Sequence, residues 1–313
     1  MMPEQRQAAG VGEMQNLLQD EAYLLASRGV IRLRGDGALA ALQSLVSRSL
    51  AELPDKPLFA CVLDEEGLLL ADLFIVGHEG DLLLDCERSA IEALLALLSA
   101  DCEARGISAV DASDEWRVFG ELPDQATFKD GGFYIRYVDP RWHMGARLLR
   151  PASGPQSYRW GSELKWQGHA FKLGVIPNAH AVSARGIGAR EANLHSIDLL
   201  EPDHVDASLR RELASPPDTI ARRVLPMRVE PNAFAFPTMT GQAVTAGGVT
   251  LGTVIAHHGL YGLVLVDIDP WREALQAGRE LRCADQQVLI CWPTSLARES
   301  RGRAGPVAFA GLN

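Results

Sequence analysis

Two stretches of the chain gather residue types that could do chemistry. The first, Cys61–Cys86 (CVLDEEGLLLADLFIVGHEGDLLLDC), sets Asp72 inside an apolar run. If that run is buried, its carboxylate needs a partner, because an unpaired buried charge is costly. The other placement is an outward strand position, and Leu68–Val76 does not alternate cleanly enough to choose between them. The second stretch, Lys172–Leu200 (KLGVIPNAHAVSARGIGAREANLHSIDLL), carries the pair Arg190-Glu191 near the start of a helix expected over 188–200. An acid in a first helical turn is favoured by the dipole and needs no ligand to explain it.

Other constellations are weaker. Gly186-Ile187-Gly188 opens a G-x-G, but Glu191 stands at the third-glycine position and no βαβ pattern surrounds it. The phosphate loop G-x-x-x-x-G-K-[ST], the elbow G-x-S-x-G and H-E-x-x-H do not occur. His257-His258 read as a strand end or hairpin, since adjacent side chains on a strand point to opposite faces. Cys61, Cys86, Cys102, Cys283 and Cys291 are odd in number, spread out and without a C-x-x-C. They read as core thiols in a reducing, cytoplasmic protein, with no metal site.

The elements that must position these residues follow from periodicity. Tyr23–Arg34 reads as one or two strands, and 38–51 as an amphipathic helix. Strands follow at Leu58–Leu63, Leu68–Val76 and Leu82–Cys86, then a helix opened by a Ser89/Glu92 capping box. The order points to an α+β domain with an antiparallel sheet and helices on one face. Short strands are expected over 106–138, loop over 139–168 and a linker over 201–218. From Val224 onward short strands alternate with glycine and proline, as in a small β-barrel.

The length of 313 residues suggests two or three domains and allows a large core. The net charge of −10 argues against a dedicated nucleic-acid or anionic-lipid role. The N-terminus has no apolar signal region, and no run approaches the roughly 20 apolar residues of a membrane span.

Taken together, the two stretches resemble the YgfZ-like folate-binding family, which includes the T-protein (aminomethyltransferase) of the glycine cleavage system and a mitochondrial iron–sulfur assembly factor. Leu33–Ser47, Asp139-Pro140-Arg141 with Gly145 and Leu148-Leu149, Gly186–Leu194 and Gly248–Leu265 carry the resemblance over about 33–305. It implies two antiparallel β/α domains around a central folate pocket, plus a C-terminal β-barrel. The corresponding boundaries are 20–115 for the first domain, completed in part from 140–215, then 116–218 for the second and 222–305 for the barrel. The family's pterin-binding glutamate matches Glu191, and Arg190 would orient it or meet the folate's anionic tail. Tetrahydrofolate is the implied cofactor. The T-protein's aspartate pair matches Ala71 and Asp72, which makes Asp72 the catalytic candidate with half the pair missing. The motif K-G-C-Y-x-G-Q-E has no counterpart: Asp203–Thr219 holds no cysteine, Ala207 or Ser208 standing at the thiol position and Glu212 at the acidic end.

Three functions are compatible with this. One is a folate-binding accessory protein with iron–sulfur client proteins. Another is a tetrahydrofolate-dependent one-carbon transferase, in which Asp72 steers or deprotonates the amine. The third is a member that binds no ligand and works through protein contacts.

Overall fold

The computed structural model of the chain describes residues 22–296, apart from 54, 124–132, 155–159, 181–184, 198–199, 206, 217–218 and 231–237. The polar start and the end of the expected barrel segment, 297–305, lie outside the described residues. In chain order the elements are β1 (Ala22–Leu24), β2 (Arg28–Arg34), α1 (Ala38–Gln43), β3 (Leu58–Leu63), β4 (Leu69–His78), β5 (Asp81–Glu87), α2 (Ile91–Arg105), β6 (Ser108–Asp111) and β7 (Trp116–Glu121). There follow β8 (Ile135–Val138), β9 (Ala146–Pro151), β10 (Trp160–Gly161), α3 (Glu163–Leu173) and α4 (Ala207–Leu213). The last segment holds β11 (Arg222–Glu230), β12 (Ala243–Ala246), β13 (Val249–His258), β14 (Tyr261–Asp267), α5 (Ile268–Gln276), β15 (Arg282–Cys283) and β16 (Gln286–Ile290).

The strands form two five-stranded sheets and a closed six-stranded barrel. The first sheet, β3-β4-β5-β2-β6, is antiparallel throughout. The second, β10-β1-β7-β9-β8, is antiparallel except for the β1–β10 pair, so β1 leaves the segment that follows it in sequence and joins the other sheet. The barrel closes in the order β11-β14-β13-β12-β15-β16, with Trp271 of α5 buried edge-on against Trp292, ring centroids 5.8 Å apart.

Both faces of the first sheet are covered, which is why β4 shows no clean alternation of apolar and polar residues. Leu73 and Ile75 pack with Leu42 of α1 and Leu94 and Leu98 of α2. Phe74 and Val76, one residue out of phase, pack with Val118 and Leu149 of the second sheet and Trp166 of α3. Asp72 shares the phase of Phe74 and is 3 % exposed, so the outward placement is excluded.

Several expected elements differ. The helix over 38–51 stops at Gln43, because Val46 bridges Val62 and Ser47 N–H donates to Cys61 O at 2.9 Å, extending the edge at β3. The capping box does not form: the chain leaves β5 through a 3-10 turn, Arg88–Ala90, and the Ser89 hydroxyl donates to Glu87 Oε1. The loop over 139–168 contains β9, β10 and the start of α3, whose N-cap is Ser162. Residues 188–197 form turns and a 3-10 segment rather than a helix, and the linker contains α4. Among the described residues no helix is long and apolar enough to cross a membrane.

Gly145, at the start of the turn into β9, has φ +81°, and a Cβ there would sit 2.1 Å from Glu121 O. Gly80, between β4 and β5, has φ +86° but nothing within 4 Å. Gly80→Ala therefore carries only the left-handed strain of about 1–2 kcal/mol. Gly145→Ala adds a backbone collision and is expected to lower the denaturant midpoint clearly further; equal losses in the two variants would contradict the close approach.

Candidate functional site

Six buried charges close a ring between the two sheets. Arg28 Nη1 donates to Asp72 Oδ1 at 2.6 Å and Arg28 Nε to Asp85 Oδ1 at 2.7 Å. Arg147 Nη1 donates to Asp85 Oδ2 at 2.8 Å and its Nε to Asp139 Oδ2 at 3.3 Å. Arg141 grips Asp139 with two nitrogens, at 2.9 and 2.6 Å, and its Nη1 reaches Asp72 Oδ2 at 3.5 Å. The signs alternate and the six formal charges cancel. Arg28, Asp72 and Asp85 come from β2, β4 and β5 of the first sheet. Asp139, Arg141 and Arg147 come from β9 and the turn before it.

The ring rests on aromatic faces. The guanidinium carbon of Arg147 lies 4.0 Å from the Phe74 centroid, and those of Arg141 and Arg28 lie 5.3 and 5.9 Å away. Cations over aromatic faces are favourable, the more so when desolvated. Tyr137 completes Asp85 with a hydroxyl donated at 2.9 Å. Burial pushes Asp85 and Asp139 up, but the guanidiniums (Arg28 and Arg147 for Asp85, Arg141 and Arg147 for Asp139) win and hold both below the ordinary carboxylate range. Burial followed by the Asp85 carboxylate raises the Tyr137 phenol.

Two members of this ring, Asp72 and Arg141, line a cleft. Phe59, Cys61, Asp72 and Arg141 form one wall, Ile176 and Ala179 another, and Ala192, Asn193 and Leu194 the third. The cleft encloses about 530 Å³ of atom-free space, its open mouth included. Trp142, 43 % exposed, stands at the rim. Arg141 is stacked at 5.0 Å from the Phe59 centroid and donates to Ile176 O at 2.9 Å, which fixes two walls to each other. Chemically the cleft offers a carboxylate acceptor between apolar plates, suited to a flat ring with N–H donors on its edge.

Asp72 is the sequence-predicted residue that lies in this wall. Glu191 precedes the lining residues Ala192–Leu194 but does not itself line the cleft: Arg222 donates to both of its carboxylate oxygens, at 2.7 and 3.1 Å, and Gly188 N–H donates at 2.9 Å. Its acid therefore locks the turn that presents Ala192–Leu194 to the cleft, through a bidentate ion pair and not through a helix dipole. Arg190 donates to Ser215 O and Pro216 O and does not line the cleft either. Asn193, at φ +63°, joins the cleft to the barrel, its amide donating to Val224 O and its carbonyl accepting from Arg223 Nη1.

The five cysteines are all free and buried. Cys61 pairs with Asp72 across β3–β4 and lines the cleft. Burial, then the Asp72 carboxylate, push its pKa up against the opposing Arg141, so it stays a thiol. Among the described residues no group of three or more histidines, cysteines and acids could hold a metal.

Sequence reasoning missed Arg28, Asp85, Asp139, Arg141 and Arg147 as members of the site. The run Asp139-Pro140-Arg141 was a usable signal, since Arg141 N–H and side chain both return to Asp139 within two residues. Arg28 gives no such signal, because its partners lie 44 and 57 residues away.

Comparison with known proteins agrees with this architecture. A family model of the CAF17 C-terminal β-barrel domain matches residues 222–297. No curated protein sequence matches the chain. Among solved structures, glycine cleavage system aminomethyltransferase T from Bartonella henselae is similar with a TM-score of 0.61 at 12 % identity, over 88 % of this chain and 86 % of that one. The chain thus has the mixed α/β fold of that protein, ending in a closed barrel of the CAF17 type.

Breaking one partner of a buried pair costs about 3–5 kcal/mol, because the other charge is left unpaired. Asp85→Asn should lower the unfolding free energy at pH 7 by that order. Asp85 and Asp139 bind protons less readily folded than unfolded, so their stabilisation is present at neutral pH and lost as pH falls below about 4. Urea midpoints measured from pH 7 to pH 3 should fall more steeply for the wild type than for Asp85→Asn; parallel curves would rule out the ring as the source of acid sensitivity.

Proposed function

We propose that the chain is a folate-binding protein whose cleft receives the pterin ring of a reduced folate, with Asp72 as the acceptor for the ring's N–H and amino donors. The observation that carries this reading is the Asp72 carboxylate in the cleft wall, its Oδ1 held by Arg28 at 2.6 Å and its Oδ2 only loosely by Arg141 at 3.5 Å. Oδ2 therefore has acceptor capacity left. Phe59 and Trp142 supply apolar surface for the ring. Support from outside the cleft is the CAF17-type barrel and the fold shared with an aminomethyltransferase.

A reduced folate, when bound, would supply its N5 and N10 nitrogens as carriers for a one-carbon unit. This chain's own residues then hold the ring, orient it and exclude water around it. Asp72 acts here as an acceptor already engaged by Arg28, and no proton transfer is assigned to it. Glu191 acts at one remove: through Arg222 and Gly188 it sets the turn that forms the third wall. A link to iron–sulfur client proteins would work through the folate and not through a thiol, since the one cysteine in the wall is buried and protonated.

Calorimetric titration with tetrahydrofolate tests the reading. Wild type should bind saturably. Asp72→Asn should bind about 10- to 150-fold more weakly, the loss expected from a charge-assisted bond of roughly 1.5–3 kcal/mol. Glu191→Gln, which keeps the size but not the ion pair with Arg222, should lose less than Asp72→Asn. A larger loss in Glu191→Gln would make the glutamate the anchor, and no binding by the folded wild type would end the folate reading.

A further inference from the structure

Arg141 shares the cleft wall with Asp72, and the two side chains approach to 3.5 Å between Nη1 and Oδ2. The bonds of this guanidinium can be counted. Nε–H and one Nη2–H go to the two oxygens of Asp139, at 2.9 and 2.6 Å. Nη1 donates to Ile176 O at 2.9 Å and reaches Asp72 Oδ2 at 3.5 Å. A guanidinium has five N–H bonds, so one is left over, the second on Nη2. It has no acceptor among the described residues.

That spare donor lies on the terminal edge of the guanidinium, beside Nη1. Arg141 is 5 % exposed, and the open space that it lines is the cleft. A buried donor without an acceptor is unfavourable, and a ligand oxygen in the cleft relieves it. The donor is also fixed in place. Asp139 and Ile176 O hold the guanidinium from two sides, and the Phe59 centroid lies 5.0 Å from its carbon. Asp72 and Arg141 thus set an acceptor and a donor side by side. Their complement is a cyclic amide, in which a ring N–H stands next to a ring C=O.

We infer that Arg141 is the specificity-determining residue of the cleft: it selects a cyclic amide by donating to the carbonyl oxygen while Asp72 accepts from the neighbouring N–H. The inference rests on the folate reading for its ligand, where it assigns Arg141 to the 4-oxo oxygen of the pterin and Asp72 Oδ2 to N3–H. A 4-amino pterin reverses both groups. Its amino hydrogens meet the Arg141 N–H, donor against donor, and its N3 lone pair meets the Asp72 carboxylate, acceptor against acceptor. The cleft therefore discriminates between two ligands of nearly the same shape.

Calorimetric titration of the full chain compares tetrahydrofolate with 4-amino-4-deoxytetrahydrofolate. Wild type should bind the 4-amino compound at least about tenfold more weakly, since a site built to hydrogen-bond a ligand group rejects the analogue that lacks it. Equal or tighter binding of the 4-amino compound overturns the inference and leaves the folate reading standing. In Arg141→Lys, which keeps the charge but not the planar fork, the ratio of the two affinities should shrink several-fold. An unchanged ratio in the folded variant overturns the role of Arg141. Should that variant fail to fold, infrared difference spectra of wild type with tetrahydrofolate labelled with carbon-13 at C4 decide. A carbonyl stretch lowered below its value in water supports the guanidinium bond, and one at or above that value overturns it. Guanosine carries the same amide edge on a purine. Saturable binding of guanosine without binding of tetrahydrofolate supports selection of the amide and ends the folate reading, and binding of neither overturns both.

Discussion

The fold depends on a closed ring of three arginines and three aspartates between two sheets. Taking a single charge out of water is prohibitive, and an isolated buried ion pair often gains no more than its desolvation costs. Closure changes the balance. Each aspartate meets two guanidiniums, each guanidinium meets two carboxylates, and the sum of charges is zero. Phe74 gives the cations a π-face to rest on, and Tyr137 fills a remaining acceptor position on Asp85. The ring also resists shear. Sliding one sheet over the other would break several short bonds and leave charges unpaired in a dry interior, so the two sheets hold one relative position.

That position creates the site. The 3.5 Å contact from Arg141 to Asp72 is the loosest link of the ring, and it joins the two members that line the cleft. A carboxylate is thereby held rigidly by Arg28 while keeping room for another donor, a pre-organised acceptor that a ligand meets without reordering the wall. The far wall is fixed by a different ion pair, Glu191 with Arg222, which belongs to the start of β11 and so couples the cleft to the barrel. Two ion-pair systems, one buried and closed and one half-buried and bidentate, thus define opposite sides of the same space.

Much of the fold was legible in the residues. The three successive strands before α2, the paired strands of Val249–Ile268 and the barrel character of the last segment follow from alternation and turn chemistry. What failed were elements decided by distant partners. Val46 has helical spacing but bridges Val62, and Ser89 has a capping pattern but bonds Glu87. Within the site, Asp72 was legible as a carboxylate in an apolar run in need of a partner, though not which partner. Glu191 was legible as a special residue of its segment, yet the acid faces Arg222, because the residues after it form a turn and not a helix. The arginines of the ring stayed hidden for a plain reason: an arginine in a strand looks like a surface residue until the sheet that buries it is assembled.

The most direct test of the account is a crystal structure of the chain with a bound reduced folate. The account predicts the pterin edge within about 2.7–3.0 Å of Asp72 Oδ2, with Arg28 still on Oδ1 and Glu191 still paired with Arg222. A pterin seated on Glu191, with Arg222 displaced and Asp72 closed off by Arg141, would contradict it.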